Sequence, residues 1–233
     1  MDNDQNFETY LFISPEKFLI SVKKKSNFEE AYRYEETFKD NSNLNLFFLD
    51  NFLNKNIFKI EKLLSSFVKN IFLVIDCKEY FQVQISLKNN NHQKLSLSKN
   101  LSYLLNEAKD QCVETLRGKK IIHFLIDQYF IDGKSYNYLP KNLNCNFISL
   151  DISFICLPLE FIKSLDAIIK KYHISTSKII SMEYMCNLFS EEKFDIIKMA
   201  KEIIDGYNQS EVVLISKKVK KNGFFERFFH FFS

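Results

Sequence analysis

Short apolar and alternating runs follow one another along the chain and predict a set of β-strands. The run at 71–76, IFLVID, is continuously apolar, which is typical of a strand buried on both faces. The run at 81–87, FQVQISL, alternates apolar and polar residues, which is typical of a strand with one face in solvent. A Ser-Pro-Glu-Lys turn at 14–17 joins the first two runs into a predicted hairpin. The predicted strands are 10–14, 18–24, 31–38, 71–76, 81–87, 121–131, 146–157, 178–185 and 211–215.

Several of these strands are separated by segments in which apolar residues recur at helical spacing, which predicts helices. Pro158 suits the first turn of the third predicted helix, and Asp132-Gly133 predicts a tight turn after the strand at 121–131. Strands and helices are interleaved, but pairs of strands are also adjacent. This order favours an α+β, or mixed α/β, fold over a doubly wound parallel one. The predicted helices are 58–67, 98–112, 159–172 and 194–204.

The last eleven residues, 223–233, are called the foot here. At about 100° per residue, six phenylalanines of the foot fall within an arc of roughly 160°. Four lysines precede Gly223, and a basic lead-in with an aromatic face is typical of a helix that lies in a bilayer interface. The predicted membrane-binding residues are Lys217, Lys218, Lys220, Lys221, Phe224, Phe225, Arg227, Phe228, Phe229, Phe231 and Phe232.

Two alternatives for the foot stay open at this point. An aromatic helix of this kind also suits packing on the protein's own core, or binding in the groove of a partner. Nucleic acid is not expected as a partner, because six phenylalanines on one face exceed what base stacking requires.

Composition excludes several nucleotide-binding classes. The chain of 233 residues carries a net charge of only +3, so any basic function must be local. Its four glycines, Gly118, Gly133, Gly206 and Gly223, are all far apart. Phosphate-binding loops need closely spaced glycines, so a P-loop, a Rossmann fingerprint and an actin-type ATP site are not expected.

Candidate catalytic residues are few. His123 lies in a predicted strand near Asp127 and Asp132, and a pairing with Cys156 is conceivable. A histidine in a strand is more commonly a hydrogen-bonded core residue, and no metal-ligand spacing or nucleophile motif is present. The five scattered cysteines are expected to be buried free thiols in a reducing cytoplasm. The sequence therefore predicts a protein that is not an enzyme and has neither cofactor nor metal.

One stretch resembles a known family. Residues 121–133, IIHFLIDQYFIDG, are similar to the strand V-x-H-x-I-P-Q-x-[FY]-x-[IV]-D-G of the bacterial actin-like cell-division protein FtsA family. The histidine, the aromatic residue, the isoleucine and the Asp-Gly pair all match. The segment 72–87 resembles the strand pair of the extra subdomain 1C of that family, of SHS2 type, and 98–115 resembles its helix. The family also ends in a basic linker and an amphipathic membrane-targeting helix, which 217–233 resembles.

The chain departs from the family at both phosphate loops. The turn at 14–17 is not glycine-rich, and no D-x-G-G-G-T motif follows Glu191, so the ATP site is predicted to be lost. The resemblance implies that this chain does not contain most of the second actin lobe, including the region that docks the tail of the tubulin-like protein FtsZ. Direct docking of that tail is therefore not expected. A pilus-assembly relative of the same fold fits the core about as well but lacks the foot.

The resemblance implies a partial actin-like lobe with an inserted SHS2-like 1C subdomain and a C-terminal amphipathic helix. It implies a non-catalytic tether or scaffold for cell division at the cytoplasmic face of the inner membrane, bound to anionic lipids and to other division proteins through the 1C-like part. Self-association stays open. The alternative is a membrane-peripheral assembly platform of a pilus or secretion system. The implied domains are 1–66 with 166–215 for the 1A lobe, 67–165 for the 1C subdomain, and 216–233 for the linker and foot.

Overall fold

The structure is a computed structural model, and it describes residues 6–39, 44–90, 97–140, 145–189 and 195–212. The described residues form two β-sheets, of five and four strands, and five helices. The predicted membrane-binding residues, from Lys217 to Phe232, lie outside the described part of the chain.

The five-stranded sheet has the strand order β3-β2-β1-β4-β9. Its first three strands form an antiparallel meander, and its last two run parallel to β1. Parallel neighbours need long crossover connections, which here contain helices and the whole second sheet. The strands are β1 (Phe7–Ile13), β2 (Lys17–Lys24), β3 (Glu30–Thr37), β4 (Asn70–Ile75) and β9 (Ser175–Ser181).

Helices cover both faces of this sheet. On one face, α1 (Leu46–Leu64) and α3 (Leu159–Lys170) pack over a core that includes Leu11 and Leu73. On the other face, α4 (Met182–Leu188) and α5 (Ile196–Ile204) pack over a core that includes Val74. Successive residues of a strand point to opposite faces, which explains why residues 71–75 of β4 are all apolar.

The four-stranded sheet is antiparallel, with the strand order β5-β8-β6-β7. Helix α2 (Leu97–Gln111) packs on one of its faces through Leu104 and Ala108. Asp132 and Gly133, with φ of 47° and 81°, form the two-residue turn between β6 and β7, as the sequence predicts. The strands are β5 (Phe81–Asn90), β6 (Lys119–Ile131), β7 (Lys134–Tyr136) and β8 (Phe147–Pro158).

The mixed α/β fold class is confirmed, but three assignments are wrong. Helix α1 begins at Leu46 rather than at 58, because the Asn45 side chain accepts a hydrogen bond from the Phe47 N–H and caps it. The helix ends at Leu64, since Ser65 takes a left-handed conformation with φ of 50°. The strand predicted at 178–185 ends at Ser181, whose hydroxyl accepts from the Tyr184 N–H and begins α4.

The interpretation of 72–87 as one strand pair is also wrong. Strand β4 lies between β1 and β9 in the five-stranded sheet, whereas β5 pairs with β8. The continuous apolar pattern of β4 suits a position with both faces covered. The domain boundaries at 67 and 165 stay predictions. The chain leaves the five-stranded sheet after β4, forms the four-stranded sheet, and returns to the five-stranded sheet after β8.

The five cysteines are free thiols, as expected, but not all of them are buried. Cys112, Cys145 and Cys156 are buried, Cys77 is half-buried and Cys186 is exposed. Among the described residues, no helix combines the length and the apolar character needed to cross a membrane.

Candidate functional site at the junction of the two sheets

The turn at 14–17 lies at the carboxyl end of β1, where the family resemblance places a phosphate loop. Its backbone groups bond to one another: the Ser14 N–H donates to the Lys17 carbonyl, and the Lys17 N–H donates to Ser14 Oγ, both at 2.9 Å. Pro15 has no N–H, and Glu16 adds a negative charge. The turn therefore offers no row of free amides for a phosphate.

A second carboxylate lies beside this turn. The Asp76 N–H donates to the Ile13 carbonyl at 2.8 Å, which places Asp76 at the end of β4. Although its side chain is exposed, partial desolvation and the charge of Glu16 raise the pKa of Asp76. Within the described ranges, no group of three or more His, Cys, Asp and Glu side chains is placed to hold a metal ion.

The more elaborate polar site lies where the two sheets meet. His123 of β6 is 1% exposed, and both of its ring nitrogens have partners. The Ser181 N–H of β9 donates to Nε2 at 3.0 Å, so Nε2 is unprotonated and Nδ1 carries the proton. Nδ1 then donates to Glu211 Oε1 at 2.9 Å. This neutral ring connects one strand of each sheet with the segment at Glu211.

Glu211 is the centre of the cluster. Its side chain is 8% exposed, and Lys178 Nζ of β9 lies 3.3 Å from Oε1. The Tyr184 hydroxyl donates to Oε2 at 3.4 Å, and Asn208 Nδ2 donates to the same hydroxyl at 2.9 Å. The carboxylate thus has three partners from three different elements.

Burial sets the protonation states of this cluster. Desolvation lowers the pKa of His123, and it outweighs the opposite effect of the Glu211 carboxylate. Burial alone would raise the pKa of Glu211, but the hydrogen bond from His123 and the charge of Lys178 hold it below its usual value. Desolvation also raises the pKa of Tyr184. At neutral pH the cluster therefore contains a neutral imidazole, a carboxylate and an ammonium group.

The segment 208–212, called the strap here, crosses β6 beside this cluster. The Ile126 N–H donates to the Ser210 carbonyl at 3.0 Å, and the Val212 N–H donates to the Phe124 carbonyl at 2.8 Å. Leu125 and Glu211 form an isolated antiparallel bridge between these bonds. Of the strand predicted at 211–215, the structure describes Glu211, which forms this isolated bridge, and Val212. Residues 213–215 lie outside the described part.

A cleft of about 360 Å³ opens next to the cluster, between the four-stranded sheet and α4. Tyr184 joins the two, because its ring lines the cleft while its hydroxyl bonds to Glu211. Leu125 and Ile155 contribute apolar surface from the sheet, and Glu183 contributes a charge from α4.

The structure does not bring the residues considered for catalysis together. His123 bonds to Glu211, whereas Asp127 accepts a hydrogen bond from Ser153. Asp132 accepts backbone hydrogen bonds from residues 146 and 147, and Cys156 is buried in the core under α2. No pattern in the sequence links His123 to Glu211, which follows 88 positions later.

No protein-family model matches the sequence, and no curated protein is similar to it at a significant level. Among solved structures, the fold is similar to that of a chain of the PilM-PilN type IV pilus biogenesis complex. The TM-score is 0.50 at 5% identity, over 79% of this chain and 50% of that chain. At this identity the similarity shows the fold alone, and it agrees with the predicted mixed α/β, partial actin-like architecture.

Two further structures are similar with TM-scores of 0.35, too low to bear on the fold. One is the cytoplasmic domain of EpsL, an inner-membrane component of the type II secretion system of Vibrio cholerae, at 10% identity over 75% of this chain and 55% of that chain. The other is a protein of actin-like ATPase fold from Bacteroides thetaiotaomicron, at 16% identity over 82% and 58%. The chain thus spans between 50% and 58% of the length of the solved chains it matches.

Proposed function

We propose that the protein is a non-catalytic, membrane-peripheral assembly platform of a pilus or secretion system, located at the cytoplasmic face of the inner membrane. The fold shared with a chain of a type IV pilus biogenesis complex supports this assignment. The amphipathic character of the foot supports the membrane location.

The observation that carries the proposal is the attachment of the strap. Two backbone hydrogen bonds and the buried Glu211 hold residues 208–212 against both sheets. The basic linker and the foot follow this segment directly in the sequence. A membrane anchor attached there would hold the folded body through a buried polar site that contacts both sheets.

The absence of catalysis is part of the proposal. The turn at 14–17 supports it, because the Ser14 and Lys17 amides are already bonded, Pro15 has no N–H and Glu16 would repel a phosphate. Mg-ATP is therefore expected to leave the melting temperature of the purified chain unchanged. A rise of several degrees would contradict the proposal that the ATP site is lost.

A second candidate is a divisome tether of the FtsA type, bound to other division proteins. It is favoured by the match of residues 121–133, in particular His123 and the Asp132-Gly133 turn, and by the foot. The two candidates differ in their partners rather than in their chemistry.

Deletion of the gene in its own organism separates the two candidates. Loss of surface pili or of secreted proteins, with normal cell length, is expected for the platform. Long undivided cells with normal pili would contradict it and favour the tether. A chain with Glu211→Ala, produced at the normal level, serves as a milder version of the deletion, because it weakens the strap without removing the protein.

A further inference from the structure

Helix α1 has one face that the fold does not use. Its inner face packs against the five-stranded sheet through residues such as Leu49, Phe52 and Ile60. The opposite face carries two large aromatic side chains, Phe47 and Phe58, which are 69% and 72% exposed.

These two aromatic residues lie on one line of the helix. They are eleven positions apart, which corresponds to about 20° around the axis and about 16 Å along it. Phe47 contacts the neighbouring Phe48 at a ring distance of 6.4 Å, but it is still largely in solvent. Phe47 and Phe58 thus place two exposed rings on the same side of the protein, with the polar Asn51 and Asn54 between them.

The exposed charged residues of α1 around Phe47 and Phe58 are all lysines. The remaining exposed positions of α1 are two asparagines, one leucine and three lysines, with no acidic residue among them. The two acidic residues of the helix are half-buried and have other partners. Asp50 accepts from Lys171 and Tyr172, and Glu61 accepts from the Val68 N–H. The exposed set is Asn51, Asn54, Lys55, Lys59, Lys62 and Leu63.

Strand β3 is the element next to the lysine side of this face. Glu36 binds Lys55 Nζ at 3.1 Å, and the ring of Tyr34 lies 6.0 Å from Lys59 Nζ. One of the three lysine charges is thus balanced at the edge of the face. Lys59 and Lys62 outnumber Glu61, whose partner is the uncharged Val68 N–H, so the face keeps a net positive charge.

Residue chemistry decides between a lipid and a protein as the partner. The centres of protein interfaces are depleted of lysine, because its charge must be desolvated there. A bilayer interface takes phenylalanine at the acyl boundary and lysine among anionic headgroups. We infer that the outer face of α1 is a second membrane-contacting surface, which binds anionic lipid through Phe47, Phe58 and Lys62. The inference deepens the proposed peripheral membrane location and rests on it.

The two contacts are compatible with one bilayer. The strap lies on the α4 side of the five-stranded sheet, and α1 lies on the other side. The ten residues between Val212 and Gly223 reach at most about 36 Å when extended. The foot can therefore meet the same bilayer as α1 only within this distance of the strap.

The absence of tryptophan from the sequence provides a direct test. In the full chain, Phe58→Trp places a single fluorescent reporter on this face, and Tyr103→Trp places the control on α2, at a side chain that is 57% exposed. Vesicles of phosphatidylcholine with and without phosphatidylglycerol are titrated. We expect the emission of the Phe58→Trp chain to shift to shorter wavelength, with quenching by brominated lipid, only when phosphatidylglycerol is present. The control is expected not to change.

A second variant measures the strength of the contact. Phe47→Ser with Phe58→Ser is expected to weaken co-sedimentation with the anionic vesicles about fivefold to tenfold, since two partly buried rings are lost. The matched control, Phe47→Leu with Phe58→Leu, is expected to retain most of the binding. Both changes are at exposed positions, so the melting temperature is expected to stay within a few degrees.

The outcomes separate this inference from the proposed function. If the full chain binds vesicles but the Phe58→Trp emission stays constant, the α1 contact is wrong and the foot alone binds. If the emission shifts even after the foot phenylalanines are replaced by serine, the α1 contact stands independently of the foot. If no vesicle binding occurs at all, both proposals fail. If, instead of binding vesicles, the chain self-associates and the serine pair abolishes this, the face is an interface between copies and the inference is overturned.

Discussion

Helices cover the five-stranded sheet on both faces, whereas α2 covers only one face of the four-stranded sheet. On β9, the successive residues Ile179 and Ile180 are both buried, although β9 is an edge strand. On β5, also an edge strand, Gln84 is exposed and Ile85 is half-buried. A cavity of about 440 Å³ lies over the open face of the second sheet and is lined by Asp127 and Asp151.

The difference shows how the residue pattern depends on what covers a sheet. Where helices cover both faces of a strand, successive residues are apolar, as at Ile179 and Ile180, while a strand with one open face alternates. The two sheets then meet at a polar cluster of neutral His123, Lys178 and Glu211, which lies beside apolar contacts between the sheets.

The largest expected effects test the covered faces. Ile179→Ala and Ile180→Ala remove methyl groups from opposite faces of the same strand, and each is expected to lower the free energy of unfolding by about 2–5 kcal/mol. In β5, Gln84→Ala is expected to change it by less than about 0.5 kcal/mol. Urea denaturation measures all three. A neutral result for either isoleucine would mean that one face of β9 is not packed as described.

The next effect tests the junction. Glu211→Ala leaves the buried Nδ1–H of His123 without its acceptor and Lys178 without its counter-charge. We expect a loss of about 2–3 kcal/mol in the free energy of unfolding. Glu202→Ala, at an exposed carboxylate of α5, is the matched control and is expected to be close to neutral. An equal loss in the free energy of unfolding for both changes would show that Glu211 does not stabilise the junction more than an exposed carboxylate does.

Acid is expected to weaken the same junction. The pKa of His123 is lowered from its ordinary value of 6.5, so below that pH the unfolded chain takes up a proton that the folded chain does not. Stability attributable to this group is complete above pH 6.5 and is expected to fall by up to about 1.4 kcal/mol between pH 7.5 and 5.5. The lowered pKa of Glu211 adds a loss in the same direction at lower pH, near and below 4.5.

A His123→Gln chain separates this effect from general acid sensitivity. It is expected to be less stable at pH 7.5 but to lose less stability than the native chain between pH 7.5 and 5.5. Chemical denaturation at several pH values measures how the free energy of unfolding of each chain changes with pH. Identical slopes would show that His123 does not titrate as its burial requires.

The smallest effect concerns the open sheet. Gly133 has φ of 81°, and a Cβ added there meets nothing within 4 Å, so Gly133→Ala is costly only through backbone strain. We expect a loss of about 1 kcal/mol. Lys134→Ala, at the next position, is the control and is expected to be nearly neutral. A neutral Gly133→Ala, measured by thermal denaturation, would contradict the two-residue turn.

The elements of both sheets could largely be predicted because their patterns are local. The alternation of 81–87 and the continuous run at 71–76 identify β5 and β4 without other information. The first part of α1 was missed because its start depends on the single cap of Asn45. The partner strands of β4 were also missed, since pairing is decided by which faces are covered elsewhere in the fold.

The junction could not be predicted at all. His123 and Glu211 are ordinary residues in their local segments, and only the topology brings the strap to β6. A buried ion cluster has no sequence period, because each member lies on a different element. The sequence does not indicate the unused face of α1 for a related reason: its periodicity predicts a helix only over 58–67, so Phe47 is not expected on the same helix as Phe58.

The central claim is that the foot binds the folded body to an anionic membrane. The most direct test is co-sedimentation of the full chain, and of a chain with Phe224→Ser, Phe228→Ser and Phe231→Ser, with phosphatidylglycerol-containing and neutral vesicles. We expect the native chain to sediment mainly with the anionic vesicles, the serine chain to bind much more weakly, and both to melt at the same temperature. If neither chain sediments and the serine chain melts at a lower temperature, the foot packs on the protein's own core and the membrane-platform account is wrong.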